Sequence, residues 1–284
     1  MRAWWRDGRL RFGVRPEPQL TKVDEVRVGV RLVGICRTDI AAAQGRLVCR
    51  EPCVLGHEVV GVVEAVGPAV RSVAVGDRVA VRPLVDGVRL GVDRDGGFAD
   101  RLVVSEQAIA LVPPSLDWRR AAFVEPVAAC LAVRHANLQG RVRVIGKGRI
   151  AELTRRVLLA LAADLCDADH GGAAQVDVAI ETGATAASLA EAMACVRDGG
   201  LIVLKGRPAA PIGLDVALAV QRELRFHAVG WSSLEDAFDL LTRLDVDDLL
   251  GEVHPLPAFA DLLSADESVK QFLAPHPELI ACAD

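Results

Sequence analysis

The 284-residue sequence has no apolar run of membrane-spanning length, because charges interrupt each hydrophobic stretch well short of the roughly 20 residues that a spanning helix needs. Its first residues, MRAWWRDGRLRF, contain no apolar core of the kind an export signal carries. There is no excess of positive charge: 33 Lys and Arg stand against 38 Asp and Glu, and the net charge of −5 comes with no basic stripe. A nucleic-acid partner therefore has no electrostatic footprint here. Disulfide pairing is not indicated either, since the seven cysteines (Cys36, Cys49, Cys53, Cys130, Cys166, Cys195, Cys282) are odd in number and widely scattered. Repeats and low-complexity segments are also missing. These absences lead to the expectation of a cytoplasmic protein with neither a nucleic-acid nor a membrane partner. What is present, 51% apolar and 25% charged residues, suffices for two modest globular domains.

Up to about Leu138, valine recurs at alternating positions between Gly/Asp turns, as in VRVGVRLVG, VVGVVEAVG, DRVAVRP and ADRLVVS. This period of two predicts short, half-buried strands in a barrel or sandwich. LDWRRAAFVEPVAACLAVRHA then reads as helical, with Glu125-Pro126 marking a break or a helix start. From Arg141 the pattern becomes strand, glycine turn, helix: VRVIG, KGRI, AELTRRVLLALAADL. Gly146, Gly148 and Ala151 fill a G-x-G-x-x-A fingerprint in that context, the one in which it marks a dinucleotide site. The first glycine allows the turn and the second admits a pyrophosphate. The small third residue lets helix and strand pack, and the helix amides face the phosphates. Lys147 and Arg149 place charge in the same turn.

One spacing is abnormal. Only six residues, HGGAAQ, separate Asp169 from the next strand candidate VDVAIETG, whereas a parallel crossover that carries a helix takes at least about ten to twelve. One helix-strand unit of a doubly wound sheet is expected to be missing. Beyond the gap, SLAEAMACVRDGG reads as a helix with a glycine stop, LIVLKG and LRFHAVGW as strands, and SSLEDAFDLLTRLDV as an amphipathic helix. HPLPAFADLL and a short strand near VKQFLA follow.

Cys36 in GICRTD precedes His57 in LGHE by 21 residues. A thiolate and an imidazole suit Zn²⁺, and a catalytic site needs one further protein ligand while leaving a position open. Glu58 and Glu125 are the candidate carboxylates. Taken alone, such a pair is better read as a buried apolar cysteine and a satisfied core histidine; it is the surrounding pattern that favours a metal.

The stretches GICRTD, VLGHEVVGVVEAVG, VAVGDRVAV, DGGFADRLVV, FVEPVAA, VRVIGKGRIAE, VDVAIETGA and VRDGGLIVLKG, in this order, resemble the zinc-containing medium-chain dehydrogenase/reductase superfamily. The Glu-Pro is similar to that of its sorbitol- and threonine-dehydrogenase-like members. The resemblance implies an α/β chain. A GroES-like β-barrel catalytic domain (1–138 and 251–284) would be interrupted by a Rossmann-type doubly wound parallel sheet (139–250), truncated after its second strand.

It also implies one catalytic Zn²⁺ held by Cys36, His57 and Glu125 or Glu58, with Glu58 able to alternate within the shell. Thr38 would be the hydroxyl of a proton relay, and Asp39 would orient the ligand imidazole. Asp169, 23 residues beyond Gly146, would hold the adenosine ribose, so that NAD is expected ahead of NADP; Asp164 and Asp167 leave that register open. Relatives carry a structural zinc on four clustered cysteines where this chain has the cysteine-free RPLVDGVRLGVDRDG, and no structural zinc is expected. The implied reaction interconverts a secondary alcohol (a polyol, cyclitol or amino alcohol) and a ketone in a homodimer. A metal-free quinone or enoyl reductase and a non-catalytic binding or scaffold member are the alternatives.

Overall fold

A computed structural model describes residues 1–166, 175–208, 210–265 and 268–280. The chain forms two compact units, Met1–Glu125 with Leu234–Thr242 and Val246–Asp284, and Pro126–Ser233 with Arg243–Asp245.

In the first unit the alternating valines become strands. The strand Glu25–Gly34 is central: one partner is Glu58–Val66, and along its other edge run Arg101–Ser105 and Lys270–Ala274. Outward from these lie Arg78–Val81, Ile109–Leu111 and Leu250–Pro255, completing a seven-stranded sheet among the described residues. β-Branched side chains fit a pleated surface, and Val26, Val28, Val30, Val59, Val63, Val79, Val81 and Val104 bury together in one core. Each valine so buried contributes about 1.5–3 kcal/mol of transfer free energy. An N-terminal hairpin, Arg2–Asp7 with Arg9–Val14, adds Cys53–Val54 as a third strand. The Trp4 indole N–H of this hairpin donates to the Leu256 carbonyl at 2.7 Å, which ties the chain's return segment to its start.

The second unit is a parallel sheet in the order Asp164–Leu165, Arg141–Ile145, Val176–Glu181, Val196–Leu204, Arg225–Ala228. Successive residues of one strand serve opposite cores. Val178 and Ile180 pack with Ala151 and Leu158 of the helix Arg149–Ala160, and Ala179 with Ala192 and Met193 of the helix Ala186–Cys195. Helices on both faces make the sheet doubly wound. Among the described residues Asp164–Leu165 is the edge strand of this sheet, and residues 167–174, with most of HGGAAQ and therefore the expected shortened crossover, lie outside them.

Local differences from the sequence reading are small. The helical stretch around Glu125 is two helices, Trp118–Ala122 and Val124–Leu131, with Pro126 in the first turn of the second, where no backbone donor is required of it. The strand expected at LIVLKG begins earlier, at Val196, directly after the helix Ala186–Cys195. Val196 pairs with Val176, and a register shift absorbs the residues before Val178 pairs with Leu201. No described helix is long and apolar enough to cross a membrane.

Candidate functional site

Cys36 follows the last residues of the central strand and precedes the helix Arg37–Ala43. Asp39, two residues into that helix, reaches back so that the Cys36 backbone N–H donates to its Oδ2 at 2.9 Å. Its other oxygen, Oδ1, accepts from the Gly56 N–H at 3.2 Å and faces His57 Nδ1 at 3.1 Å. One buried carboxylate, 1% exposed, thus joins the GICRTD and LGHE segments. A carboxylate on one ring nitrogen directs the other, Nε2, as the free donor, the arrangement that metal-binding histidines use.

The LGHE turn also depends on close backbone approach. Gly56 has φ +93, and a β-carbon there would collide with the Phe98 ring. Phe98 N–H donates to the Leu55 carbonyl at 2.8 Å and Gly97 N–H to the Gly56 carbonyl at 2.9 Å, so the DGGFAD motif is the wall against which LGHE folds.

Glu58 starts the strand Glu58–Val66 opposite Gly34. Its carboxylate occupies the space that a side chain at Gly34 would fill. Oε1 accepts from Lys270 Nζ at 2.5 Å, and the same ammonium donates to the Ile35 carbonyl at 3.1 Å. Both side chains are 1% exposed. Oε2 is buried without a hydrogen-bond partner.

The ligand atoms of Cys36, His57 and Glu58 all lie within 4.8 Å of one another. Burial pushes the His57 pKa down, but the negative charges of Asp39 and Cys36 outweigh it, and the imidazole is held well above its ordinary range. Burial raises the Glu58 carboxyl, Lys270 lowers it and Glu125 adds to the rise, leaving it above the usual carboxylate range. The sulfur, ring-nitrogen and carboxyl-oxygen donors of Cys36, His57 and Glu58, with one buried oxygen unsatisfied, are a set that fits a divalent cation, which would supply the missing partner and displace the protons that the raised groups hold.

Of the four proposed ligands the structure therefore brings together Cys36, His57 and Glu58. Glu125, also buried, stands outside that 4.8 Å group, though near enough to raise Glu58. The Thr38 hydroxyl lies 3.8 Å from Cys36 Sγ. Cys130 packs in the second unit, accepting from Thr154 Oγ1 at 3.5 Å. The Cys53 thiol is pushed up to about 12, chiefly by burial. His135 is exposed, and His254 Nε2 sits 2.9 Å from Gln271 Oε1. Lys270 was not singled out from the sequence. Its one signal is a lysine in phase with Phe272 in VKQFLA, on the buried side of the strand.

In the second unit the glycine turn follows the strand Arg141–Ile145. Gly146 has φ +129, and a β-carbon there would strike Thr182 Oγ1. Gly148, at φ +81, caps the helix Arg149–Ala160 and has open space where its side chain would be, room for a phosphate to approach. Ala151 is fully buried against the sheet. Asp164 lies on the edge strand, and Asp167 and Asp169 lie outside the described residues. At the end of Val176–Glu181, Glu181 Oε1 accepts from Ala184 N–H at 2.7 Å and Ser188 Oγ at 2.6 Å, fixing the start of the next helix.

Residues 22–114 match the alcohol dehydrogenase GroES-like domain family. The sorbitol dehydrogenase of Bacillus subtilis (strain 168) is 28% identical over 278 residues, covering 78% of each chain. The galactitol 1-phosphate 5-dehydrogenase of Escherichia coli (strain K12) is 31% identical over 178 residues, 55% of this chain and 51% of that protein. Apart from the sorbitol dehydrogenase, the chain spans about half the length of the first curated relatives it matches. Among solved structures, a short chain alcohol dehydrogenase from Escherichia coli CFT073, complexed with NADH, superposes with a TM-score of 0.84 at 24% identity, covering 96% of this chain and 99% of that one. That likeness concerns the fold.

Proposed function

From the match of residues 22–114 to the alcohol dehydrogenase GroES-like domain family and the likeness to polyol dehydrogenases, we propose that the chain is a zinc-dependent medium-chain alcohol dehydrogenase, similar to sorbitol dehydrogenase, that interconverts a secondary alcohol and a ketone with NAD. The observation that carries the reading is the convergence of Cys36, His57 and Glu58 within 4.8 Å, with a buried carboxylate oxygen left unpartnered. Cys36, His57 and one carboxylate, Glu125 or Glu58, would hold the ion.

When bound, Zn²⁺ supplies a Lewis acid that eases loss of the alcohol proton, and the nicotinamide accepts the hydride. The protein's own part is positional. Asp39 holds the imidazole in its ligating tautomer, and the Thr38 hydroxyl takes the substrate's hydroxyl proton and hands it toward water. Gly146, Gly148 and Ala151 accept the pyrophosphate. In the balance, the bound cofactor would supply the hydride acceptor for the carbinol carbon and Thr38 would take the proton of its oxygen, leaving the ketone. Asp169 at the ribose would favour NAD over NADP, and Asp169→Ala is then expected to relax that selectivity, read as the ratio of kcat/KM for the two cofactors.

Polyols, cyclitols and amino alcohols are the substrate classes favoured by the Glu-Pro at Glu125 and by the polyol relatives. The edge strand Arg225–Ala228 offers a face for a second copy, and a homodimer in a cytoplasmic setting is part of the same reading. The test is a panel of polyols and amino alcohols with NAD and with NADP on zinc-loaded protein, beside metal analysis. Metal content near zero would favour the metal-free reductase. The shortened sheet favours the other alternative, a non-catalytic binding member, and failure to bind NADH at millimolar concentration would support it.

A further inference from the structure

We propose that Thr182 and Arg155 are positioning residues of the candidate cofactor turn. From opposite flanks their side chains hold the carbonyls of Val144, Ile145 and Gly146, and so fix the shape that a dinucleotide's diphosphate meets. The inference rests on the cofactor reading above and adds two residues, neither of which the glycine fingerprint contains.

The carbonyls of a strand inside a parallel sheet point alternately to its two neighbours. In Arg141–Ile145 the Ile145 carbonyl faces Val176–Glu181, and at the end of that ladder it accepts from the Thr182 N–H at 2.9 Å. It accepts a second time, also at 2.9 Å, from the buried Thr182 hydroxyl. The strand is therefore anchored twice at the residue before Gly146. The same hydroxyl oxygen lies where a side chain at Gly146 would stand, and the Gly183 backbone closes in beside it, so the chain leaves the sheet at φ +129 against a fixed wall.

On the other flank the edge strand pairs with Arg141 and Val142, and its ladder among the described residues ends where the Cys166 N–H donates to the Val142 carbonyl at 2.8 Å. Val144 and Gly146 are the next residues whose carbonyls turn to that side. Arg155, in the second turn of the helix Arg149–Ala160, reaches back to both: its Nη2 donates to the Val144 carbonyl and to the Gly146 carbonyl, each at 3.4 Å. These bonds are long, but their donor is charged. The consequence for a ligand follows from peptide planarity. The carbonyls of Ile145 and Gly146 share their planes with the N–H groups of Gly146 and Lys147, so holding the oxygens aims the amides. Backbone amides set in advance bind a phosphate without the entropy cost of ordering a loose turn.

The test measures Kd on the full chain, for NADH by fluorescence and for ADP-ribose, which carries the diphosphate without the nicotinamide, by competition. It is run well below the melting temperature of every variant, where a residue that serves stability alone leaves both constants untouched. Thr182→Val, which keeps the shape and removes the hydroxyl, is expected to weaken both ligands by the same factor of about five, the worth of one hydrogen bond. Arg155→Met, which keeps the aliphatic stem, should weaken both about threefold. Thr182→Ser should restore the parent affinity. Unchanged affinity in either Thr182→Val or Arg155→Met, or the same loss in Thr182→Ser as in Thr182→Val, overturns the proposal. Failure of the parent chain to bind NADH and ADP-ribose at millimolar concentration overturns the cofactor reading and this inference together. If Thr182→Val does not fold, Thr182→Ala takes its place with the same expectation.

Discussion

In the unit that holds Cys36, segments far apart in the chain are joined by buried polar contacts: Asp39 to Gly56 and His57, and Lys270 to Glu58 and Ile35. In the unit that holds Gly146, the recognisable site is a single local turn, and the sheet beside it ends at a strand of two residues. The contrast is between a site made by tertiary contacts and a site made by backbone conformation. The first is expected to be sensitive to changes at its buried polar joints, the second to changes in the backbone of the turn.

The strongest way to break that comparison is Cys36→Ser. Metal content should fall to near zero and turnover by more than about a hundredfold, because loss of even an outer partner of a ligand costs about 10–100-fold. Near-unchanged thermal melting of the metal-free protein would show that the thiol serves the site rather than the sheet. Retained metal would remove Cys36 from the centre.

Asp39→Asn should come next. It weakens both the imidazole's orientation and the link to the helix Arg37–Ala43, and metal affinity is expected to drop by about 10–100-fold with NADH binding untouched. If NADH affinity fell in parallel, the two units would not be independent.

Gly146→Ala attacks the other half. The φ of +129 and the contact with Thr182 put a strained backbone or a displaced turn in its place, at about 1–3 kcal/mol. NADH affinity, followed by fluorescence, should weaken about tenfold or more while metal content stays constant.

The smallest effect concerns a residue outside both sites. With its thiol raised to about 12 by burial, Cys53 stays protonated at pH 8 and should resist iodoacetamide while the protein is folded. Mass spectrometry that found Cys53 labelled as fast as in the unfolded chain would contradict its buried place in the strand paired with the N-terminal hairpin.

Much of this was readable from residue order because the relevant interactions are local or their spacing is diagnostic. Alternating valines predicted the strands of the first unit, whereas the shortening expected from the six residues of HGGAAQ falls on a segment outside the described residues. Cys36, Asp39 and His57 stand in GICRTD and LGHE, and it is the ordered set of such stretches, rather than the residue types alone, that suggests metal chemistry. The choice between Glu58 and Glu125 was not readable, since adjacency to His57 says nothing of which carboxylate reaches the same space. Lys270 was invisible as a partner: it lies 212 residues from Glu58, and a lysine in a short strand ordinarily points to water.

The sequence by itself determined the periodicities, the glycine turns and the chemical types available, because these depend on each residue's own backbone freedom and side chain. Only the tertiary structure placed the Glu58 carboxylate within 4.8 Å of the Cys36 and His57 ligand atoms and set Lys270 against it. Those outcomes depend on strand pairing between the two ends of the chain, where Lys270–Ala274 is laid against Glu25–Gly34 and burial strips away the water that would otherwise separate the charges.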